Sequence, residues 1–526
     1  MKKFKIYSLG ALALILGATS CGDDFLSVEP SSSLGIDGYY TTKARIMESA
    51  VAAYDPMKWY DYYSGWAPLS LVCDVMGDDL YVGGGSTTDQ SQIHLISQYK
   101  ADPRNNIDGA WSASYSGINR SIRLIDNAKA SDLSEADKNL FIAEGRALRS
   151  WYYLTLWKFW GNIPFYEENL TFPYIAEQLK ADDLYAKMVV ELEEVLDSKI
   201  FLMKQPDEWA GRMTQAAVAM IYADYVMYQK DQSRYPKALA YMKEIIDSNK
   251  YNLVTNYDDL YSTDKEWNEE IILDVNYTSK GGKRDWGSAE SILTGGTVFP
   301  EMIGVDGLSG SPDFVGGWGF GAVSKEGYDA FEAGDLRRDV AILNMDKYIK
   351  EKAAEGITVS YGGRYQNTGF FLRKYLPRPG GTDGSVAASA LNWENNLHLY
   401  RFAETLLNAA ELALETGDAG YAKTCFDRVR ERAGLPSVAV TKDNLIKERR
   451  VEFVGEGKRY FDLVRSGQAP SVLKPGAGVV LQKKETLTYG GQAIPERIQW
   501  TESKKYLPIP QGEIEAANGT LVQNSY

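Results

Sequence analysis

Residues 135–160 read EADKNLFIAEGRALRSWYYLTLWKFW, a stretch that predicts a long helix buried along its later turns. Ser134 is a good N-cap residue, with an acid, Asp137, three positions further on. Two apolar stripes follow helical spacing: Leu140, Ala143, Ala147, Trp151 and Leu154, and Phe141, Leu148, Tyr152 and Phe159. Gly161 and Pro164 end the helix. A helix that is apolar nearly all round must be surrounded by other elements, so we expect it in the core.

Two helix pairs on the C-terminal side of this stretch look alike. The first is Thr214–Gln229 with Pro236–Asn249, and the second is Leu397–Thr416 with Ala419–Ala433. Each pair has roughly the length of a tetratricopeptide unit, although neither matches the consensus of that repeat cleanly. Further helices are predicted at 42–57, 107–128, 324–332, 346–355 and 445–455. The sequence therefore predicts a mostly α protein with tetratricopeptide-like helix hairpins as its scaffold.

A loop-rich region interrupts the helical pattern between Asn252 and Leu391, where glycine pairs are frequent and short β-like pieces occur. Residues 60–105 form a second loop-rich stretch. Functional surfaces favour such regions when a rigid scaffold carries them. We therefore divide the chain into four segments: a signal peptide at 1–20, an N-terminal helical region at 21–250, a loop-rich ligand-binding region with short β-strands at 251–395, and a C-terminal helical region at 396–526.

The start of the chain has the order of an export signal. A lysine-rich segment precedes an uncharged run from Ile6 to Ala18, which suits a signal-peptide core and is short for a bilayer span. Small residues then lead to Cys21, an arrangement that predicts lipid attachment at that cysteine. Ala18 stands where leucine is usual, and the alternative is an ordinary cleaved signal followed by an unrelated cysteine. No second apolar run reaches transmembrane length, so attachment would be through lipid alone.

Composition excludes several classes of function. The formal net charge of −14 argues against binding to nucleic acid or to an anionic membrane by charge. Only two histidines occur, His94 and His398, which excludes histidine-rich metal sites and disfavours a histidine-based triad. His398 lies in an apolar stretch predicted as helix, and we interpret it as structural. With Cys21 lipidated, Cys73 and Cys425 are interpreted as free buried thiols. No cofactor or metal is predicted.

Two acidic motifs could suggest acid–base catalysis or calcium binding, but their spacing supports neither. In 445–455 and the residues after it, nearly every acid has a basic neighbour three or four positions away, which predicts ion pairs. Asp74, Asp78 and Asp79 surround Gly77 without the full spacing of a calcium loop, so a turn or helix cap is the preferred interpretation. The glycine pairs lack a following lysine with serine or threonine, so no phosphate-binding loop is predicted.

Aromatic residues make up 12% of the chain, and some fall in loops where a sugar could reach them. The C–H groups of a pyranose face stack on tryptophan or tyrosine, while the hydroxyl groups need polar partners. The candidate ligand-binding residues of the loop-rich middle are Arg284, Asp285, Trp286, Trp318 and Phe320. In the first loop-rich stretch the candidates are Trp66 and Tyr81. For each aromatic residue the alternative is a loop side chain folded onto the core.

Several segments, in order along nearly the whole mature chain, resemble the SusD/RagB family. They are CGDDFL at 21–26 with Pro30 after it, AEGRALR at 143–149 followed by YY at 152–153 and GNIP at 161–164, RFAETLLNAAE at 401–411, ERRVEF at 448–453 with GKRYFDL at 457–463, and YLPIPQ at 506–511 with QN at 523–524. Each match alone is modest, but their number and order make the resemblance specific.

The resemblance implies an outer-membrane surface lipoprotein of Bacteroidetes with four tetratricopeptide-like helix pairs. Such proteins sit as a lid on a SusC-like TonB-dependent transporter, bind a nutrient, most often an oligosaccharide, and are not enzymes. The family's ligand arc lies on loops from the two general regions named above. Asp23 and Asp24 after Cys21 resemble a surface-export signal, which implies that the protein faces the cell exterior.

Two alternatives stay open at this point. One is a peptide-binding receptor of the same kind of complex, which the acidic charge would suit if the peptides were basic. The other is a surface glycoside hydrolase, which would need two carboxylates in a cleft at the separation that inverting or retaining enzymes use.

Overall fold

The structure, a computed structural model, describes residues 36–61, 66–286, 295–475 and 497–526. The predicted signal peptide and Cys21 lie outside the described residues. The α helices, numbered in chain order, are α1 Ile36–Tyr39, α2 Lys43–Tyr54, α3 Leu69–Val75, α4 Ser91–Ser97, α5 Asp108–Ala130, α6 Glu135–Trp160, α7 Ala181–Asp197, α8 Gln215–Gln229, α9 Tyr235–Asp247, α10 Phe299–Ile303, α11 Lys325–Asp329, α12 Arg338–Ala341, α13 Met345–Ala354, α14 Phe402–Glu415, α15 Ala419–Arg432, α16 Lys442–Glu452, α17 Arg459–Arg465, α18 Ala469–Val472 and α19 Gln511–Ala516. None of the helices in these described ranges is long and apolar enough to cross a bilayer.

The helix predicted from the opening stretch is confirmed as α6. The Ser134 hydroxyl accepts a hydrogen bond from the backbone N–H of Asp137 at 3.2 Å, and Gly161 closes the helix with a φ of +68°. Helix α6 packs against α5 at very short range. A Cβ at Gly145 would lie 2.6 Å from Ile125, and one at Gly117 would lie 2.3 Å from the Tyr152 ring. Glycine at both positions is therefore what allows the two longest helices to approach.

The predicted helix hairpins are present as α8–α9 and α14–α15, and α9 packs against α14 so that the two hairpins are neighbours. One boundary is wrong, because Leu397–Arg401 forms a β-strand and not the first turns of α14. His398 therefore lies on a strand. Its Nδ1 and Nε2 atoms are each 2.8 Å from a partner, the Asp274 carboxylate and the Leu260 carbonyl. This pairing fits the structural interpretation of the histidine.

Short antiparallel strand pairs link the loop-rich region to the scaffold. The strands are β1 Ile163–Pro164, β2 Gln178–Leu179, β3 Ile271–Val275, β4 Ile342–Asn344, β5 Phe370–Leu372 and β6 Leu397–Arg401. Strand β1 pairs with β2, β3 with β6, and β4 with β5. The β3–β6 pair brings the start of the loop-rich middle against the start of the second hairpin. A mostly α fold with short strands is thus confirmed.

The two loop-rich stretches meet each other. Isolated bridges join Leu80 to Val323 and Gly83 to Phe320, and the Gly84 N–H donates to the Gly319 carbonyl at 3.1 Å. A Cβ at Gly83 would lie 2.4 Å from that same carbonyl oxygen, so this position has no room for a side chain. These contacts hold residues 80–84 of the first loop-rich stretch against residues 319–323 of the loop-rich middle.

The charged motifs form ion pairs, as predicted, but most of the partners are distant in the sequence and not three or four positions away. Arg401, which is 1% exposed, donates to Glu270, Glu452 and Glu456. The acids of the first loop are also paired: Asp78 accepts from Arg459, and Asp79 from Arg450. Distant arginines, which neither the turn nor the cap interpretation anticipated, are therefore the partners of these acids. Cys73 and Cys425 are free and buried, as expected.

Candidate functional site

Three tryptophans from distant parts of the chain form one cluster. The ring centroids of Trp66 and Trp286 are 5.9 Å apart, those of Trp66 and Trp318 are 5.6 Å apart, and those of Trp286 and Trp318 are 6.0 Å apart. Trp286 is 59% exposed, while Trp66 and Trp318 are partly buried against the core. All three belong to the set predicted from the sequence, and the structure brings them together.

Trp318 is fixed by its backbone. Its N–H donates to the Glu301 carbonyl at 2.8 Å, and its carbonyl accepts from Arg364 Nη1 at 2.9 Å. The preceding residue must be glycine, since a Cβ on Gly317 would lie 2.3 Å from the Glu301 carbonyl oxygen and 2.6 Å from the Gly304 backbone. The segment GGWGF therefore runs directly along α10 and its C-terminal extension, which fixes the backbone position of Trp318.

The other predicted site residues lie behind or beside the cluster. Asp285 is exposed and accepts a hydrogen bond from the Trp286 N–H at 2.9 Å. Arg284 is 1% exposed and Tyr81 is also 1% exposed, while Phe320 is 2% exposed. A ligand could not touch these three side chains in this conformation, because each is covered by protein. For Tyr81 and Phe320 this is the alternative stated above, a loop side chain folded onto the core.

Polar side chains that the sequence reasoning missed lie next to the tryptophans. Arg364, with 34% of its side chain exposed, packs near Gly319 and is 3.7 Å from the Asp306 carboxylate. Glu301 lies on α10, and burial raises its pKa to about 7 although it accepts a hydrogen bond from Trp393 Nε1 at 3.1 Å. The signal available in the sequence was the pair Gly362-Gly363 directly before Arg364, which marks a tight loop carrying a cation.

The arrangement suits adsorption of a ligand with both apolar and polar faces. The planes of Trp66 and Trp286 are 30° apart, and those of Trp66 and Trp318 are 63° apart, so the rings are tilted relative to one another, with Trp286 the most exposed of the three. Aromatic faces take up C–H groups, and the neighbouring Asp285, Asp306 and Arg364 supply acceptors and donors for hydroxyl groups. Among these described residues the polar groups are paired or exposed, as is typical of a recognition surface.

Several known proteins of one family are similar to this chain. Residues 320–526 match the SusD family. The structure of surface glycan-binding protein A from Bacteroides thetaiotaomicron is 44% identical, covers 93% of this chain and 100% of its own, and superposes with a TM-score of 0.85. The same protein has been solved in complex with laminarihexaose, at 43% identity over 92% of this chain and 100% of its own, also with a TM-score of 0.85.

More distant relatives agree with this assignment. A structure described as a laminarin binding SusD-like protein is 28% identical, covers 92% of this chain and 99% of its own, and has a TM-score of 0.79. A SusD-like protein from Bacteroides ovatus is 25% identical over 481 residues, which is 88% of this chain and 82% of that protein. With a family match at the C-terminal end and relatives aligned over nearly the whole chain, this protein belongs to the SusD family.

Proposed function

We propose that this protein binds an oligosaccharide on the cluster of Trp66, Trp286 and Trp318, and that the oligosaccharide is a β-1,3-glucan of the laminarin type. The observation that carries the proposal is the contact of three indole rings, one of them 59% exposed, beside Asp306 and Arg364. Large exposed aromatic groups on a soluble surface indicate a binding site more often than a structural element.

The shape of the cluster favours a curved glycan. A β-1,3-linked glucan curls, whereas a β-1,4-linked glucan is a flat ribbon that would prefer coplanar rings. The tryptophan planes are tilted from one another by 30° to 63°. The relatives solved with laminarihexaose or described as binding laminarin support the same class of glycan for this chain.

Binding without turnover is the proposed activity. The relatives are described as binding proteins, and Glu448 and Glu452 of α16 are paired with buried arginines, as the ion-pair interpretation of this helix expects. A peptide ligand is the second candidate from the sequence, and no contact in the described residues favours it over a glycan. Release of reducing ends from a bound glucan by the purified protein would overturn the non-enzymatic proposal.

The cellular role follows from the same family. We infer that lipid on Cys21 holds the protein at the outer membrane, facing the exterior, and that bound glycan passes to a SusC-like TonB-dependent transporter. The order of the first residues and the acidic pair after Cys21 support this placement. In this scheme the 251–395 segment supplies Trp286 and Trp318, the 21–250 segment supplies Trp66, and the helices of the 21–250 and 396–526 segments serve as the scaffold.

Isothermal titration with laminarihexaose, cellohexaose and maltohexaose tests the proposal. We expect saturable binding of laminarihexaose, and a loss of at least about tenfold in affinity for Trp286→Ala and for Trp318→Ala, because truncating an aromatic anchor costs about 1.4 kcal/mol or more. The matched control is Trp209→Ala, a tryptophan 45% exposed outside the cluster, whose loss should leave affinity unchanged. Equal affinity in all three variants would contradict the proposed binding site. Failure of the unmodified protein to bind any of the glucans would contradict the proposed ligand class.

A further inference from the structure

A buried aspartate lies at the point where the supports of the three tryptophans meet. Asp61 follows the 3-10 helix Asp55–Tyr60, and its side chain has no exposed surface. Its Oδ2 atom accepts from Arg284 Nη1 at 2.7 Å and from the Val298 N–H at 2.9 Å. Its Oδ1 atom accepts from the Thr297 hydroxyl at 3.0 Å. One carboxylate therefore joins the first loop-rich stretch to two nearby parts of the loop-rich middle, at Arg284 and at Thr297 with Val298.

Each of those segments leads directly to a tryptophan. Arg284 stands two positions before Trp286. Val298 immediately precedes α10, and the Glu301 carbonyl of α10 holds the backbone of Trp318. Asp61 itself stands five positions before Trp66 in the sequence. A change at the carboxylate would therefore reach Trp286 and Trp318, and through them Trp66, whose ring contacts both.

The guanidinium of Arg284 depends on this carboxylate. Arg284 is 1% exposed, and within the described ranges Asp61 is its only ion-pair partner, while its Nε and Nη2 atoms have no hydrogen-bond acceptor. A buried cation without a counter-charge is strongly unfavourable, because it has lost its hydration and gained nothing in return. Removing the carboxylate would therefore drive Arg284 toward solvent, and Trp286 would move with it.

Fold stability alone does not require such a pair. Replacing a buried ion pair with apolar side chains is often neutral or stabilising, because desolvation offsets the Coulomb attraction. Burial raises the pKa of Asp61 even though Arg284 and two further donors favour its charged form, so the carboxylate is held at a desolvation cost. Its three donors all come from segments that support the tryptophans, which indicates a geometric role.

We propose that Asp61 is a positioning residue that holds the rings of Trp66, Trp286 and Trp318 in the relative positions that ligand binding needs. It does not touch the ligand, because its side chain is fully buried. The role in ligand binding rests on the proposed function. The positioning of the three rings does not, and it can be measured without any glycan.

The test uses the optical coupling of the tryptophans. Indole rings about 6 Å apart couple strongly, so the circular dichroism of Trp286→Ala minus that of the unmodified protein isolates the signal of the cluster. We expect Asp61→Asn to lose the same signal and to lose at least about tenfold in laminarihexaose affinity, because recognition requires sub-ångström placement of contact groups. The double variant, Asp61→Asn with Trp286→Ala, should lose no more of this circular dichroism signal than either single variant, because each already removes the coupling between the rings. Thr297→Val removes one of the donors to Asp61, so it should lose less of the cluster signal and less affinity. It replaces Asp61→Asn as the test if that variant does not fold.

The matched control is Asp335→Asn, which removes another buried carboxylate paired with an arginine, Arg337, away from the cluster. It should lower thermal stability and leave the tryptophan signal intact. Retention of the full cluster signal and full affinity in Asp61→Asn would overturn the proposal, as would an equal loss of signal in Asp335→Asn. If no glucan binds the unmodified protein while Asp61→Asn still loses the signal, the positioning role stands and the proposed function fails.

Discussion

The indole of Trp286 stacks on that of Trp66 with the ring centroids 5.9 Å apart and the planes 30° apart, although helices α3 to α9 lie between the two residues in the sequence. Trp318 lies against both rings. The cluster therefore exists only when the first loop-rich stretch and the loop-rich middle are correctly packed together. Its geometry depends on buried residues around it as much as on the tryptophans themselves.

Gly317→Ala should damage the cluster without altering any aromatic side chain. The new Cβ would lie 2.3 Å from the Glu301 carbonyl oxygen, so the backbone at Trp318 must shift away from α10. We expect a loss of about 1–3 kcal/mol in the free energy of unfolding from overpacking, together with weaker binding of laminarihexaose. Thermal unfolding and titration measure the two effects.

Gly512→Ala is the control for that substitution, because a Cβ at Gly512 would meet nothing within 4 Å. Gly512 lies in α19, so alanine should leave stability unchanged or raise it by up to about 1 kcal/mol through helix propensity. Equal stability and equal affinity in Gly317→Ala and Gly512→Ala would show that the close approach of Gly317 to α10 is not needed.

Arg401→Met should destabilise the protein strongly. Arg401 joins Glu270, Glu452 and Glu456 at a site with almost no solvent exposure, so its removal leaves buried carboxylates without their central counter-charge. We expect a loss of about 3–5 kcal/mol in the free energy of unfolding, measured by chemical denaturation. Arg338→Met, at an exposed pair with Asp339, should change it by less than about 1 kcal/mol. Similar losses in both variants would contradict the role of burial.

Asp462 should make stability depend on pH in the acid range. Burial alone would raise its pKa, but Arg449 and Arg465 outweigh burial and lower the pKa to about 2. Because the folded-state pKa is below the ordinary value of 3.8, the stabilisation is fully present above about pH 4 and is lost as the pH falls toward 2. We expect Asp462→Asn to cost about 2 kcal/mol at pH 7. The difference from the unmodified protein should shrink between pH 4 and pH 2, and a difference that stays constant over that range would refute this account.

Cys21→Ala should separate the anchor from the binding function. We expect the variant to leave the outer-membrane fraction and to bind laminarihexaose with unchanged affinity, because the predicted lipid site lies far along the chain from Trp66, Trp286 and Trp318. Cell fractionation followed by titration of the released protein measures both. Continued membrane retention would show that a partner protein, and not lipid, holds the chain there.

Local sequence patterns were sufficient for the helices. The periodicity of 135–160 and its N-cap predict α6 with the bounds that the structure has, since the hydrogen bonds and caps of a helix join residues three or four positions apart. The same reasoning misplaced Leu397–Arg401, an apolar run that could be helix or strand. Its pairing with Ile271–Val275 decides for the strand, and that partner is invisible to a local pattern.

Residue type and loop context were sufficient to nominate Trp66, Trp286 and Trp318, but not to separate them from Tyr81 and Phe320. All five are aromatic residues in or beside glycine-rich segments. Tyr81 and Phe320 are covered because the backbones on either side of them pair with one another, through Leu80 and Val323 and through Gly83 and Phe320. Burial depends on what packs against a residue from elsewhere in the chain, so it could not be predicted at these positions.

The sequence by itself determined the long helices, the mostly α class, the family segments and the identity of the aromatic candidates, because each of these is encoded in adjacent residues or in residues one helical turn apart. Only the tertiary structure decided which aromatic residues meet, and that Arg284 lies beneath the cluster on Asp61 instead of facing a ligand. The physical reason is that a binding surface assembled from distant loops is set by long-range packing and by buried charge pairs, whose partners can be identified only once the chain has folded.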